Sequence, residues 1–250
     1  MSKDVPAHRV TEAWPRLYAR IAGALYLIVI VGGIFAELFV RSRLVVHGDA
    51  AATAHNIQTH EWIYRLGFAV EVFYCACNIP LVLIFYGLYK VVNKNAALML
   101  AFFGLVATAI EAVSLLAHFA PLLFLENLNY LTAFRPEQLQ AAAYLSLQLF
   151  ENGFAISLVF FGFYCLTMAY LIFTSRFLPR LIAALLVVEG LGYLLNSFAL
   201  FLAPALETRF FPYFVPTGIA EVALCLWLLI MGVDVRRWME RATAGASVQP

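Results

Sequence analysis

An all-α polytopic membrane bundle, with six transmembrane helices and both termini in the cytoplasm, is the fold this sequence predicts, and three observations predict it. Of the 250 residues, 64% are hydrophobic and 12% are charged, against about 25% charged in an average soluble domain. So much apolar side chain does not fit inside one soluble core of this length. The apolar residues fall in six runs, each long enough to cross about 30 Å of hydrocarbon. With the N-terminus placed inside, eleven lysines and arginines lie in inner segments and five in outer ones, which satisfies the positive-inside rule.

The elements follow in order as one integral membrane domain, 1–250. Met1–Arg16 is a polar cytoplasmic arm carrying Lys3, Arg9 and Arg16. Span one, Leu17–Val40, is too long for a signal-peptide core and has no small-residue cleavage site, so it reads as an uncleaved helix. Its Gly23, Gly32 and Gly33 permit close helix approach, and Gly32 and Gly33 offer a surface for a homodimer. Glu37 lies near its outer end. In the loop that follows, Asp49 is a plausible N-cap for an interfacial helix over 49–60. His47, His55 and His60 invite a metal reading, but His55 and His60 are five apart, about 140° around a helix, not the four of a helical zinc pair.

Span two, Trp62–Tyr89, carries Glu71, Cys75 and Asn78 on one stripe, and Pro80 is expected to kink it. Span three, Ala96–Leu125, places Glu111 and His118 two turns apart on one face, flanked by Thr108 and Ser114. Span four, Ala141–Phe173, groups Gln148, Glu151 and Asn152. Span five, Pro179–Ala203, aligns Glu189, Tyr193 and Asn196. Span six, Pro212–Val233, aligns Thr217, Glu221 and Cys225. The tail, 235–250, is basic, then small and polar, and is expected to be frayed. Cys75, Cys77, Cys165 and Cys225 all fall in apolar runs and read as small buried hydrophobes. A weak internal repeat relates Glu71–Cys75 to Glu221–Cys225, and Glu111–His118 to Glu189–Asn196.

One glutamate per span is the pattern that points to function: Glu37, Glu71, Glu111, Glu151, Glu189 and Glu221. An ionised side chain at a helix centre costs about 2.5–3.5 kcal/mol on the insertion scale, so six unpaired ones would cost on the order of 15–20 kcal/mol. No lysine or arginine lies deep in a span on this reading, and Arg65 is the base expected to reach inward, to Glu37 or Glu151. The stripes therefore predict an acidic, polar cavity in the outer half of the bundle, lined by Glu71, Glu111, His118, Glu151, Asn152, Glu189, Asn196 and Glu221, with Arg65 and Glu37 as an ion-pair anchor.

Three readings fit this pattern. The first is binding or transport of a small cation, a proton or a polar solute. The second is a structural or partner subunit whose glutamates are helix-to-helix hydrogen bonders. The third is an intramembrane enzyme acting on a lipid or quinone through a Glu/His pair. The chain has no HExxH, CxxCH or P-loop and no nucleophile motif, and the residues name no cofactor. No basic block points to nucleic acid; the lipid bilayer is the one partner the composition requires.

Three further stretches carry a likeness: IAGALYLI from Ile21, YRLGFAVE from Tyr64 to Glu71, and SRFLPR from Ser175 to Arg180. With them the chain resembles, over roughly Arg16 to Val233, a bacterial multi-pass membrane family catalogued as domain-of-unknown-function family 4386. The resemblance implies a six-helix protein of the bacterial cytoplasmic membrane, and brings no activity with it. It also implies that Arg65 and Glu71 are anchors of the fold or of its site.

Overall fold

A chain this apolar can satisfy its backbone N–H and C=O groups in hydrocarbon only within helices or a closed barrel. Its long runs lack the two-residue alternation of a barrel strand. In the computed structural model, which describes residues 7–126, 129–203 and 218–246, every described element is helical. Helix α1 covers Ala7–Ile34 and continues through a π-helical segment, Phe35–Arg41, and one α-helical turn, Ser42–Leu44. Then come α2 (Ala50–Thr59), α3 (Glu61–Tyr89), α4 (Lys94–Leu125), a 3-10 turn (Asn129–Ala133), α5 (Pro136–Ser175), α6 (Arg180–Leu202), α7 (Ile219–Ile230) and α8 (Val235–Ala246).

Among the described residues, five stretches are long and apolar enough to cross a membrane: Trp14–Leu44, Glu61–Tyr89, Lys94–Leu125, Pro136–Ser175 and Arg180–Leu202, of 31, 29, 32, 40 and 23 residues. The expected first span is thus longer than Leu17–Val40, because the helix does not stop at Arg41. The sixth expected span is represented by α7, whose 12 residues rise about 18 Å. The rest of that span, with Thr217, lies outside the described residues. Helix α3 is assigned without a break through Pro80.

The chain divides into two compact units. The first comprises Met1–Leu27, Asn78–Ala107 and Leu158–Pro250; the second comprises Ile28–Cys77 and Thr108–Ser157.

Glycine decides how helices meet in the first unit. A Cβ on Gly190 would lie 2.7 Å from the Gly162 carbonyl oxygen, and one on Gly162 2.9 Å from that of Gly190, so the α5 and α6 backbones touch there. A Cβ on Gly23 would meet the Leu229 backbone nitrogen at 2.8 Å, where the Cys225 thiol donates to the Gly23 carbonyl at 3.4 Å. The tail expected to fray is instead helical over Val235–Ala246. The reason is its pattern: Val235, Trp238, Met239 and Ala242 are half-buried, while Arg236, Arg237, Glu240 and Arg241 are exposed. Trp238 anchors it, donating from Nε1 to the Leu88 carbonyl at 3.0 Å, with its ring 5.8 Å from that of Trp14.

The second unit packs a core of Val40, Leu44, Ile57, Tyr64, Leu122 and Leu147. Asp49 caps α2, its side chain accepting from the Ala52 N–H at 2.8 Å. Gln58 of α2 then donates to the Leu125 carbonyl at 3.3 Å. A Cβ on Gly67 would lie 2.8 Å from Val40, so this glycine admits the end of the π-helical segment against α3. Gly32 is similarly occupied, by Tyr74 and Val70, whereas nothing lies within 4 Å of Gly33. Of the two glycines expected to serve a homodimer, only Gly33 has open space beside it.

Candidate functional site

Glu71 is the centre of the second unit's polar network, and it is fully buried. It sits ten residues into α3, about 15 Å along the helix from Glu61. One carboxylate oxygen accepts from Arg41 Nη1; the other lies 2.5 Å from His118 Nδ1. Arg41 also holds Glu37, through Nε at 2.8 Å and Nη2 at 2.7 Å. Glu37 and Arg41 both belong to the π-helical segment, whose wide turns are often found at functional positions in helices. That segment carries the guanidinium to a carboxylate thirty residues away, with only 14% of the arginine side chain left exposed.

Aromatic rings enclose the rest. Phe150 stacks on the His118 ring with centroids 4.8 Å apart, and the Arg41 guanidinium carbon stands 5.0 Å from the same Phe150 centroid. Tyr64 meets the imidazole edge-on at 5.0 Å and donates its hydroxyl to the His118 carbonyl at 2.5 Å. That carbonyl precedes Pro121 by three residues, within the turn that the proline leaves short of an N–H donor. His118 itself is fully buried, and its Nε2 has no hydrogen-bond partner among the described residues. In the same unit, Tyr74 donates to Glu111 Oε1 at 2.6 Å.

Several expected residues lie elsewhere. Arg65 reaches neither Glu37 nor Glu151: it is half-buried and pairs with exposed Glu61 at 2.6 Å, one turn before it, and with exposed Glu126 at 3.2 Å. The physical reason is competition, since a closer guanidinium, Arg41, already occupies Glu37. Glu151 accepts from Gln148 of its own helix at 3.1 Å. Asn152 is exposed and donates back to the Gln148 carbonyl at 2.7 Å. Among His47, His55 and His60, His60 Nδ1 lies 3.2 Å from the Asn56 carbonyl, and no group of three or more His, Cys, Asp or Glu among the described residues is placed to hold a metal ion.

Glu189, Asn196 and Glu221 belong to the first unit. Tyr193 donates to Glu221 Oε1 at 3.4 Å. Both Glu189 carboxyl oxygens, Asn196 Oδ1 and Ser197 Oγ are buried without a hydrogen-bond partner among the described residues. Such groups stand out in hydrocarbon, where water cannot satisfy them.

Sequence reasoning missed Arg41, Tyr64, Tyr74 and Phe150. Arg41 was legible in two ways: it lies four residues after Glu37, and six carboxyls without a deep base required a cation from somewhere. It was read as a loop residue because the apolar run ends at Val40.

An uncharacterized protein of Archaeoglobus fulgidus is 24% identical over 147 residues, covering 59% of this chain and 72% of the relative. No solved structure matches. The family model described as "Domain of unknown function (DUF4386)" matches residues 21–232, nearly the whole helical part, and the chain belongs to that family.

Proposed function

We propose that this chain is a six-span protein of the bacterial cytoplasmic membrane, N- and C-termini inside, that binds and passes protons through the Glu71–His118 pair. The observation that carries the reading is His118 Nε2. With Glu71 ionised, Nδ1 is the nitrogen that carries hydrogen, which leaves Nε2 as a bare acceptor. Nε2 has no hydrogen-bond partner among the described residues; a buried acceptor left without one would cost about 1–3 kcal/mol, and an ionisable residue kept in a span is a functional candidate by default. Charge balance points the same way. Arg41 against Glu37 and Glu71 leaves the set at −1, so one proton on the imidazole makes it neutral. Because Arg41 fills the place a bound cation would take beside Glu71, a proton fits this site better than a metal ion.

The test is proton flux in liposomes holding the purified full-length protein and a trapped pH dye, driven by a membrane potential. Flux above that of empty liposomes, falling about tenfold or more in both His118→Gln and Glu71→Gln, is the expected result. A wild type no leakier than empty liposomes, or a His118→Gln protein with full flux, would overturn it. A second reading, a structural subunit, is favoured by the way Arg41–Glu71, Tyr64–His118 and Tyr74–Glu111 tie the α1 extension, α3 and α4 together. It is selected if Glu71→Gln lowers thermal stability while the wild type conducts nothing.

A further inference from the structure

Where α5 ends and α6 begins, the first unit holds a pocket of about 740 Å³. Four arginines line it, Arg176, Arg180, Arg237 and Arg241, with Glu240 and Ser175. Four positive charges against the one of Glu240 leave the lining at +3. Carboxylates offset this excess only in part. Glu240 is taken up by Arg236, outside the pocket, at 3.2 Å, and of the four arginines Arg237 pairs with Asp234 at 3.2 Å. Two of the four are instead held by backbone carbonyls: Arg237 Nη1 donates to the Arg176 carbonyl at 3.1 Å, and Arg241 Nη2 to the Thr174 carbonyl at 3.3 Å. A carbonyl fixes a guanidinium in place without neutralising it and leaves it further N–H groups with which to hold an anion.

The backbone adds to the same field. Arg176 has φ 58°, a left-handed conformation uncommon outside glycine; it reverses the chain immediately after α5. Helix α6 starts at Arg180 from Pro179, with no side-chain cap on its first N–H groups, so the positive end of its dipole stands at the pocket lined by Arg180. Exposed Phe173 and Thr174, in the last turn of α5, bring an apolar ring to the rim. Four arginines lining one pocket supply planar N–H forks suited to phosphate, which two or more guanidiniums can grip bidentately.

We propose that this pocket binds a phosphate-bearing anion, whether the headgroup of an anionic phospholipid or a soluble phosphate. The basic face of α8 beside it and the position at the end of a membrane-crossing helix suit the lipid source. The proposal rests on a different set of residues from the Glu71 network and stands or falls apart from it.

The experiment uses the full-length protein in detergent, with phosphatidylglycerol and inorganic pyrophosphate as separate probes, read by native mass spectrometry and by competition. The variant Arg180→Gln/Arg241→Gln tests the pocket, Lys94→Gln is the control outside it, and circular dichroism and thermal melts verify the fold. Retained phosphatidylglycerol in the wild type, weakened about tenfold or more by the double change and not by Lys94→Gln, establishes the site with a lipid source; about tenfold corresponds to losing one charge-assisted hydrogen bond, about 1.4 kcal/mol. Pyrophosphate binding with the same dependence and no preference for the anionic lipid establishes it with a soluble source. Binding of neither probe by the wild type, or equal binding by wild type and a folded double variant, overturns it. If the double variant does not fold, Arg180→Lys/Arg241→Lys replaces it: charge is kept and the bidentate fork is lost, so unchanged affinity there also overturns the proposal.

Discussion

Two arginines at the same end of neighbouring helices show how much a side chain's surroundings decide its worth. Arg41 is largely buried on a fully buried carboxylate, whereas Arg65 and both its partners are 39%, 51% and 41% exposed. Removing one partner of a buried pair leaves the other charge stranded and costs about 3–5 kcal/mol; an exposed pair contributes about 0–1 kcal/mol. Arg41→Gln is therefore expected to lower the unfolding free energy of the purified protein by several kcal/mol, and Arg65→Gln by less than about 1 kcal/mol, measured by denaturant titration in mixed micelles. Equal effects would mean that the Arg41–Glu71 pair carries no special weight. The sequence did expose Glu71 and His118, because a charged or imidazole side chain in an apolar run is conspicuous. It hid their partner, because an arginine just past the last apolar residue looks like every other interfacial arginine.

At the scale of the helix, the decisive residues are the smallest ones. The Gly162 and Gly190 backbones approach so closely that a Cβ on Gly190 would stand 2.7 Å from a carbonyl oxygen, and a backbone atom cannot swing aside as a side chain can. Overpacking of this kind costs about 1–3 kcal/mol. Gly33 is also helical, or nearly so, yet meets nothing within 4 Å; there alanine gains up to about 1 kcal/mol of helix propensity. Gly190→Ala is thus expected to lower the thermal midpoint and Gly33→Ala to leave it level or raise it, provided both are compared in the same detergent. A fall with Gly33→Ala alone would reveal a partner on that face, such as a second copy of the chain. Which glycine is which was not legible beforehand: composition marks all glycines as points of close approach, while the helix that occupies each one is a property of the packed unit. The tail illustrates the converse. Its amphipathic spacing is present in the sequence, but its basic, then small and polar composition predicts fraying; the helix over Val235–Ala246 is held by that spacing together with Trp238, which reaches the Leu88 carbonyl.

For the whole molecule, the number of crossings fixes which face each site presents. Among the described residues five stretches are long enough to cross, and α7, with 12 residues, falls short of the roughly 20 that a crossing needs. The excess of arginine after α7, at Arg236, Arg237 and Arg241, favours a sixth crossing, since those residues then join Lys90, Lys94, Arg176 and Arg180 on the cytoplasmic side. Single cysteines placed at exposed positions decide the matter in intact bacterial cells with a membrane-impermeant maleimide; the native cysteines lie in apolar helices, away from an aqueous reagent. His47→Cys is expected to react in intact cells, and Lys90→Cys and Thr243→Cys only after permeabilisation. Reaction of Thr243→Cys in intact cells, with Lys90→Cys still protected, would reduce the crossings to five and carry α8 to the outer face. The arginine pocket would then be dissolved, because Arg176 and Arg180 stay on the side of Lys90 while Arg237 and Arg241 move to the other, and the Arg237–Arg176 contact would be lost. Protection of Thr243→Cys instead sets the pocket beside the inner leaflet, where anionic headgroups attract basic segments.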